Sequence, residues 1–206
     1  MSRICVATSK ARAYYALVSR LKRAGLPFSS ALPGSDFRDW DLVLTTAEEA
    51  GGLGEKALAL EELDENPGIF RGQVISRLSG ESEVILVGVD PGKRTGMAVF
   101  YGQTKLASST FDSVGTICSR IGAFARGIPS SRVLIRVGNG NGPMVSKLVD
   151  GLRREVPDAT IEVVDESGTS TRSPKMRGVQ RDQVAAARIA FRKGDVVSRG
   201  TTRTRD

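Results

Sequence analysis

The sequence contains no histidine. That absence excludes Ser-His-Asp and Cys-His catalysis and any zinc site with His ligands. Cysteine is scarce as well. Cys5 and Cys118 are the only two, both in apolar stretches, which reads as a pair of buried reduced thiols rather than a disulfide or metal pair. Aromatic residues make up 5 % of the chain, so Val, Ile, Leu and Ala must fill most of a core drawn from the 40 % of hydrophobic residues. No apolar run approaches the ~18 residues of a membrane span. The opening Met-Ser-Arg-Ile-Cys-Val-Ala-Thr-Ser-Lys has too short an apolar stretch for a signal peptide. The expectation is a soluble, cytoplasmic protein with no membrane partner. Carboxylates, Lys, Arg, hydroxyls and bound metal are the means left for any chemistry.

Charge is present but unevenly placed. Residues 1–80 carry 10 Lys+Arg and 10 Asp+Glu, whereas residues 81–206 carry 20 and 13 and so hold the whole net charge of +7. Residues 167–206 alone carry 10 and 3. A basic region confined to one end is the electrostatic footprint of a polyanion binder, or else a solvated basic tail.

With 206 residues, the chain has room for one large domain or two small ones. Residues 4–8 read as a short apolar strand. Residues 10–24 space their apolar positions as a helix does, and Gly25 and Pro27 end it. Residues 41–46 and 57–60 read as further strands, residues 68–79 as a helix, and 29–40 and 47–55 as loops. The alternation predicts a small α/β domain with a parallel sheet, Rossmann-like or flavodoxin-like, over residues 1–80. Gly51-Gly52-Leu53-Gly54 lacks the spacing of the phosphate-binding loops and reads as a flexible turn.

A polar break near residues 78–82 precedes a second pattern. Residues 84–90 form a strongly apolar strand ending in Asp90. Residues 96–101 and 104–111 follow as hairpin partners. A helix over 114–126, a strand over 132–137, a helix from Pro143 to about 155, a strand over 160–164 and a helix over 179–193 complete the order. The expectation is a five-stranded mixed sheet flanked by helices over residues 81–195, then a flexible basic tail over 196–206.

Three acids stand out by position. Asp90 ends the first strand of this second domain, Asp165-Glu166 end the fifth, and Asp182 falls in the first turn of the last helix. Ligand groups in α/β sheets gather at strand ends beside helix N-termini. Convergent carboxylates repel unless a cation lies between them, and magnesium prefers such hard oxygen ligands. Each acid also has a structural reading: Asp90 as a cap on the Pro-Gly turn, Asp182 as a partner of the helix dipole, Asp165 and Glu166 as solvated loop charges. Lys93 and Arg94 follow Asp90 in its turn. Arg172, Lys175, Arg177 and Arg181 lie between Glu166 and Asp182. All six are candidate phosphate contacts.

Taken together, four elements resemble the RuvC/YqgF-like branch of the ribonuclease H-like superfamily over residues 84–193. They are Val-Gly-Val-Asp90-Pro-Gly-Lys-Arg-Thr-Gly96, the loop Val137-Gly-Asn-Gly-Asn-Gly-Pro143, Val163-Val-Asp-Glu166 with Thr169-Ser-Thr, and Asp182-x-x-Ala-Ala186. The resemblance implies a nuclease in which Asp90, Glu166 and Asp182 ligate Mg2+ or Mn2+, with Asp90 bridging the ions. RuvC-like resolvases carry a further acid at the end of the fourth strand. Here that place reads Arg136-Val-Gly-Asn, which favours the YqgF side.

The leading expectation is a metal-dependent endonuclease acting on structured RNA or branched DNA, as a monomer or a homodimer. A catalytically silent nucleic-acid-binding module of the same fold is the alternative. A phosphotransferase or ATPase of the actin-like class is a lesser one, because such proteins usually need a duplicated domain and this chain is too short for two copies.

Overall fold

The computed structural model describes residues 3–80, 82–140, 142–165 and 178–197, excluding the side chains of Val179 and Arg181. The chain divides into two compact units, Met1–Ser82 with Arg126–Pro129, and Glu83–Ala125 with the chain from Ser130 onward.

The first unit is built on strands β1 (Ile4–Val6), β2 (Ser29–Ser30), β3 (Leu42–Thr45) and β4 (Ala57–Ala59), with helices α1 (Ala11–Ala24) and α2 (Pro67–Ser79). All strand pairs are parallel, in the order β2-β1-β3-β4. Alternation along the strands sends Ile4, Val6, Leu42 and Leu44 to one face, where they pack with Leu17 and Leu21 of α1 and Phe70 and Val74 of α2. Cys5, Ala7 and Val43 point the other way, under Phe37, Trp40 and Leu53 from loops. α1 stops at Gly25, whose φ of 64° is the left-handed conformation that glycine supplies at a helix end. α2 starts on Asn66, whose side chain accepts from the amides of Gly68 and Ile69, with Pro67 in the first turn. The short strand β2 lies in a stretch expected to be loop. Its two exposed serines offer no hydrophobic signal, and only pairing with β1 makes it a strand.

Polar groups at the carboxyl ends of β1 and β3 converge on Glu49. Its carboxylate accepts from the Ser9 hydroxyl at 2.6 Å, the Ser9 amide at 2.8 Å, the Thr46 hydroxyl at 2.9 Å and the Thr8 hydroxyl. These donors, the Ser9 and Thr8 hydroxyls foremost, hold the carboxyl far below its usual 4.5, at about 2. A carboxyl whose pKa falls on folding contributes stability above its ordinary pKa, and that contribution disappears as pH drops through the folded value. Stability is therefore expected to decline from about pH 4.5 towards pH 2. Glu49→Gln should lower the urea midpoint at neutral pH and flatten the acid decline. An unchanged midpoint at neutral pH would contradict this role for Glu49.

The second unit contains β5 (Val84–Asp90), β6 (Thr95–Tyr101), β7 (Thr104–Phe111), α3 (Val114–Gly127), β8 (Arg132–Gly138), α4 (Gly142–Glu155), β9 (Thr160–Val164), α5 (Gly178–Ala190) and β10 (Asp195–Val196). The sheet order is β10-β9-β8-β5-β6-β7. β5, β6 and β7 form an antiparallel meander, while β5, β8 and β9 are parallel. Leu86, Ala98, Phe100 and Leu134 pack under Ala186 and Ala190 of α5. The alternate residues Ile85, Val87, Val89, Met97, Val99, Ile135 and Val137 are buried on the opposite face. The buried faces of α3 and α4, Ile117, Ile121 and Phe124 with Leu148 and Leu152, are the helical surfaces that match it. The protein is thus a mixed α/β chain, a parallel-strand sheet followed by a six-stranded mixed sheet flanked by helices, compatible with a ribonuclease H-like fold.

Two expectations at the carboxyl end change. A sixth strand, β10, pairs antiparallel with β9 through Asp195 and Val196, where a tail was expected from residue 196. The Arg/Thr/Ser composition that follows masks two β-branched residues, Val196 and Val197. α5 ends at Ala190 rather than near residue 193, because the Arg136 guanidinium takes the Ala190 carbonyl at 2.7 Å and so satisfies one of the helix's open acceptors. The cysteines match their reading: both are buried and free, and burial pushes both thiols up.

Candidate active site

The carboxyl ends of β5, β8 and β9 lie side by side, in an order fixed by register. Val89 pairs with Val137, and Gly138 with Val164, so Asp90, Asn139 and Asp165 follow one another along a single sheet edge. On the other side of Asp90, its cross-strand partner is Gly96.

Gly96 is where α5 meets this edge. A Cβ placed on Gly96 would lie 2.8 Å from the Asp182 carbonyl carbon and 3.4 Å from the Asp182 Cβ. One helical turn further on, a Cβ on Gly88 would collide with the Ala186 carbonyl and stand 2.7 Å from the Ala190 amide. Such close approach of helix to sheet needs glycine at both strand positions. Asp90 shares a sheet face with Gly88 by alternation, and that is the face α5 covers. Directly opposed residues of an antiparallel pair have Cβ atoms about 4.5–5.5 Å apart, which places the Cβ atoms of Asp90 and Asp182 within about 9 Å of each other. Both residues are half-buried. The structure therefore brings together two of the three candidate acids, which lie far apart in sequence.

Asp182 is the fifth residue of α5, and the first turn holds no acid. This corrects the expectation of a first-turn position. It also weakens the dipole explanation, since that effect fades beyond the first turn. Glu166, Arg172, Lys175 and Arg177 lie outside the described residues, as does the side chain of Arg181. Among the described residues, no group of three or more His, Cys, Asp or Glu is placed to hold a metal ion. The donors present are hard oxygens from Asp90 and Asp182, the kind magnesium takes.

Lys93 and Arg94 are exposed in the β5–β6 turn, immediately after Asp90. Arg94 pairs with Asp112 at 3.2 Å, with the two side chains 46 % and 78 % exposed. So exposed a pair is weak and leaves the guanidinium able to exchange Asp112 for a phosphate. Asp165 accepts from the Asn139 amide nitrogen at 3.0 Å, and the Asn139 backbone amide continues the β8–β9 ladder to Val164 at 3.0 Å.

Two residues inside the carboxyl end of β8, beside Gly88, lies an ion pair. Arg136 Nε donates to Glu162 Oε2 at 2.8 Å, and each side chain is 13 % exposed. Gly88, Gly96, Arg136 and Asn139 fall within the sequence motifs without a role of their own there, and Glu162 falls outside them. Arg136 and Glu162 carry a findable signal, opposite charges at inward positions of adjacent strands.

No family model matches the chain, and no curated protein matches it. Among solved structures, the chain is similar to Marinitoga piezophila Argonaute in complex with 5′ OH guide RNA, at 10 % identity and a TM-score of 0.28 over 80 % of this chain and 39 % of that one. It is similar to the same Argonaute in complex with 5′ OH guide RNA and target DNA at 10 % identity and a TM-score of 0.29, with the same coverage. The chain spans about two fifths of the length of those proteins. Among the described residues, no helix is long and apolar enough to cross a membrane.

Proposed function

We propose that the second unit is a divalent-metal-dependent endonuclease core of the RuvC/YqgF-like type, cutting phosphodiesters in structured RNA or branched DNA. The observation that supports this most is the seating of Asp182 on Gly96, the cross-strand partner of Asp90. Two carboxylates on one sheet face, at a strand end and half-shielded from water, offer the hard oxygen donors that a shared divalent cation takes.

Asp90 and Asp182, with Glu166, would hold Mg2+ or Mn2+. When bound, such ions activate a water and stabilise the leaving oxygen of an in-line displacement. The chain's own residues do the rest. Asp90 and Asp182 fix where the scissile phosphate sits relative to the sheet edge. Lys93 and Arg94 bind flanking phosphates and orient the strand, and Arg172, Lys175, Arg177 and Arg181 are further candidate phosphate contacts. The basic carboxyl-terminal region draws the polyanion in.

The experiment is incubation of the full chain with labelled structured RNA, duplex DNA and four-way junctions, with Mg2+, with Mn2+ and with chelator. Metal-dependent cutting of at least one substrate is expected. A second reading, binding without cleavage, is favoured by the end of β8, where Gly138 and Asn139 bring no carboxylate beside Asp90. It is selected if all three substrates bind and none is cut.

Either reading requires cations on the protein to neutralise phosphates, which releases counterions and makes affinity fall with salt. Lys93→Ala with Arg94→Ala is expected to lower the slope of log affinity against log salt by about 0.9 for each duplex phosphate that is no longer neutralised. A slope equal to that of the wild type would remove these two residues from the binding surface.

A further inference from the structure

α5 rests on the sheet through glycine. Gly96 lies beneath Asp182, and Gly88 lies beneath Ala186 and Ala190. Backbone against backbone and small residue against small residue make a close but flat seat. Such a seat sets the height of the helix above the sheet. The apolar contacts beside it, Leu86, Phe100 and Leu134 under Ala186 and Ala190, also bear on the helix's position along its own axis.

A directional hold on that position lies at the far end. Arg136 and Glu162 stand directly opposite one another on β8 and β9, on the face that α5 covers. Arg136 donates through Nε to Glu162 and through Nη1 to the carbonyl of Ala190, the last residue of α5, at 2.7 Å. Glu162 Oε2 also accepts from the Gly194 amide at 3.3 Å, in the segment that leaves the helix. A planar guanidinium bound on two edges has little freedom. A largely shielded ion pair is a weak source of stability compared with apolar packing and a strong source of fixed geometry.

We propose that Arg136 and Glu162 are positioning residues for Asp182. Together they clamp the carboxyl-terminal end of α5 and thereby fix the axial register at which Asp182 meets Asp90. Eight residues separate Ala190 from Asp182, about 12 Å of helix at 1.5 Å per residue. A slip of one residue would carry the Asp182 carboxylate about 1.5 Å along the axis and turn it away from Asp90. Misplacement by about 1 Å can cost about 100-fold in rate. The inference rests on the reading of Asp90 and Asp182 as one reacting pair.

The test compares Arg136→Lys and the double variant Arg136→Met with Glu162→Leu. The double variant removes both charges, so neither is left buried alone, and it also removes the hold on Ala190. Its kcat for metal-dependent cleavage should fall 10- to 100-fold, while KM for the nucleic acid and the melting transition stay near wild type. Arg136→Lys keeps the charge and one hydrogen bond, and should recover part of the rate. Hydrogen exchange at the amides of residues 186–190 should speed up in the double variant. An unchanged kcat in the double variant overturns the proposal. If the wild type cuts no substrate, the nuclease reading fails separately, and the clamp is then decided by exchange alone. Unchanged protection along α5 overturns it, and faster exchange upholds it.

Discussion

Gly96→Val is expected to lift the first turns of α5 from the sheet and to reduce metal-dependent cleavage by about 100-fold or more, on the same cost of misplacement. The cause is steric and local. The atoms above Gly96 are the backbone of Asp182, which has no alternative rotamer to adopt. Either the helix moves or the strand bends. Overpacking of this kind typically costs about 1–3 kcal/mol, and here the displaced residue is itself a proposed metal ligand. Gly115→Ala is the matched control. A Cβ there meets only the Ser113 hydroxyl, at 3.7 Å, an ordinary contact in a helix. It should leave the rate within experimental error and raise the midpoint slightly, because alanine has less backbone freedom to lose than glycine. A urea titration and a cleavage assay on both variants decide the matter. A fully active Gly96→Val protein would show that the site does not depend on the contact between α5 and β6.

Asp90→Asn and Asp182→Asn are expected to have the largest effect on rate with the least effect on fold. Both substitutions keep size and remove charge. A bound ion contributes several kcal/mol to transition-state stabilisation, and each 1.36 kcal/mol is tenfold in rate. Loss of one carboxylate ligand should therefore lower cleavage by about 1,000-fold, with nucleic-acid binding and melting nearly unchanged. Equal cutting by both variants and the wild type would place the chemistry elsewhere.

Much of this arrangement was readable from the order of residues. Strands β5 to β9 follow from apolar runs separated by turn residues, and the helices from their periodicity, because both signals are local. The meeting of Asp90 with Asp182 was expected from their places at a strand end and near a helix start, and through resemblance. Its physical basis, glycines at positions 88 and 96 facing α5, is a tertiary property that strand patterning does not reveal. A glycine inside a strand is an ambiguous sign until its neighbour across the sheet is known. The clamp was missed for a related reason. Arg136 registered as the absence of an acid, and its partner Glu162 lies on another strand, where register alone creates the pair. β10 was missed because two valines before a basic segment make too short a pattern. Glu49 passed unnoticed because its partners come from loops after two different strands, joined only by sheet formation.

The most direct measurement is Mn2+ affinity for the wild type, Asp90→Asn, Asp182→Asn and the double variant, by titration in the presence of a non-hydrolysable nucleic acid. If the two acids share the same ions, each single change should weaken binding at least about tenfold, and the double change should add little more, as for groups that act as a unit. Unweakened binding in the single variants, or two effects that simply add, would contradict a shared site.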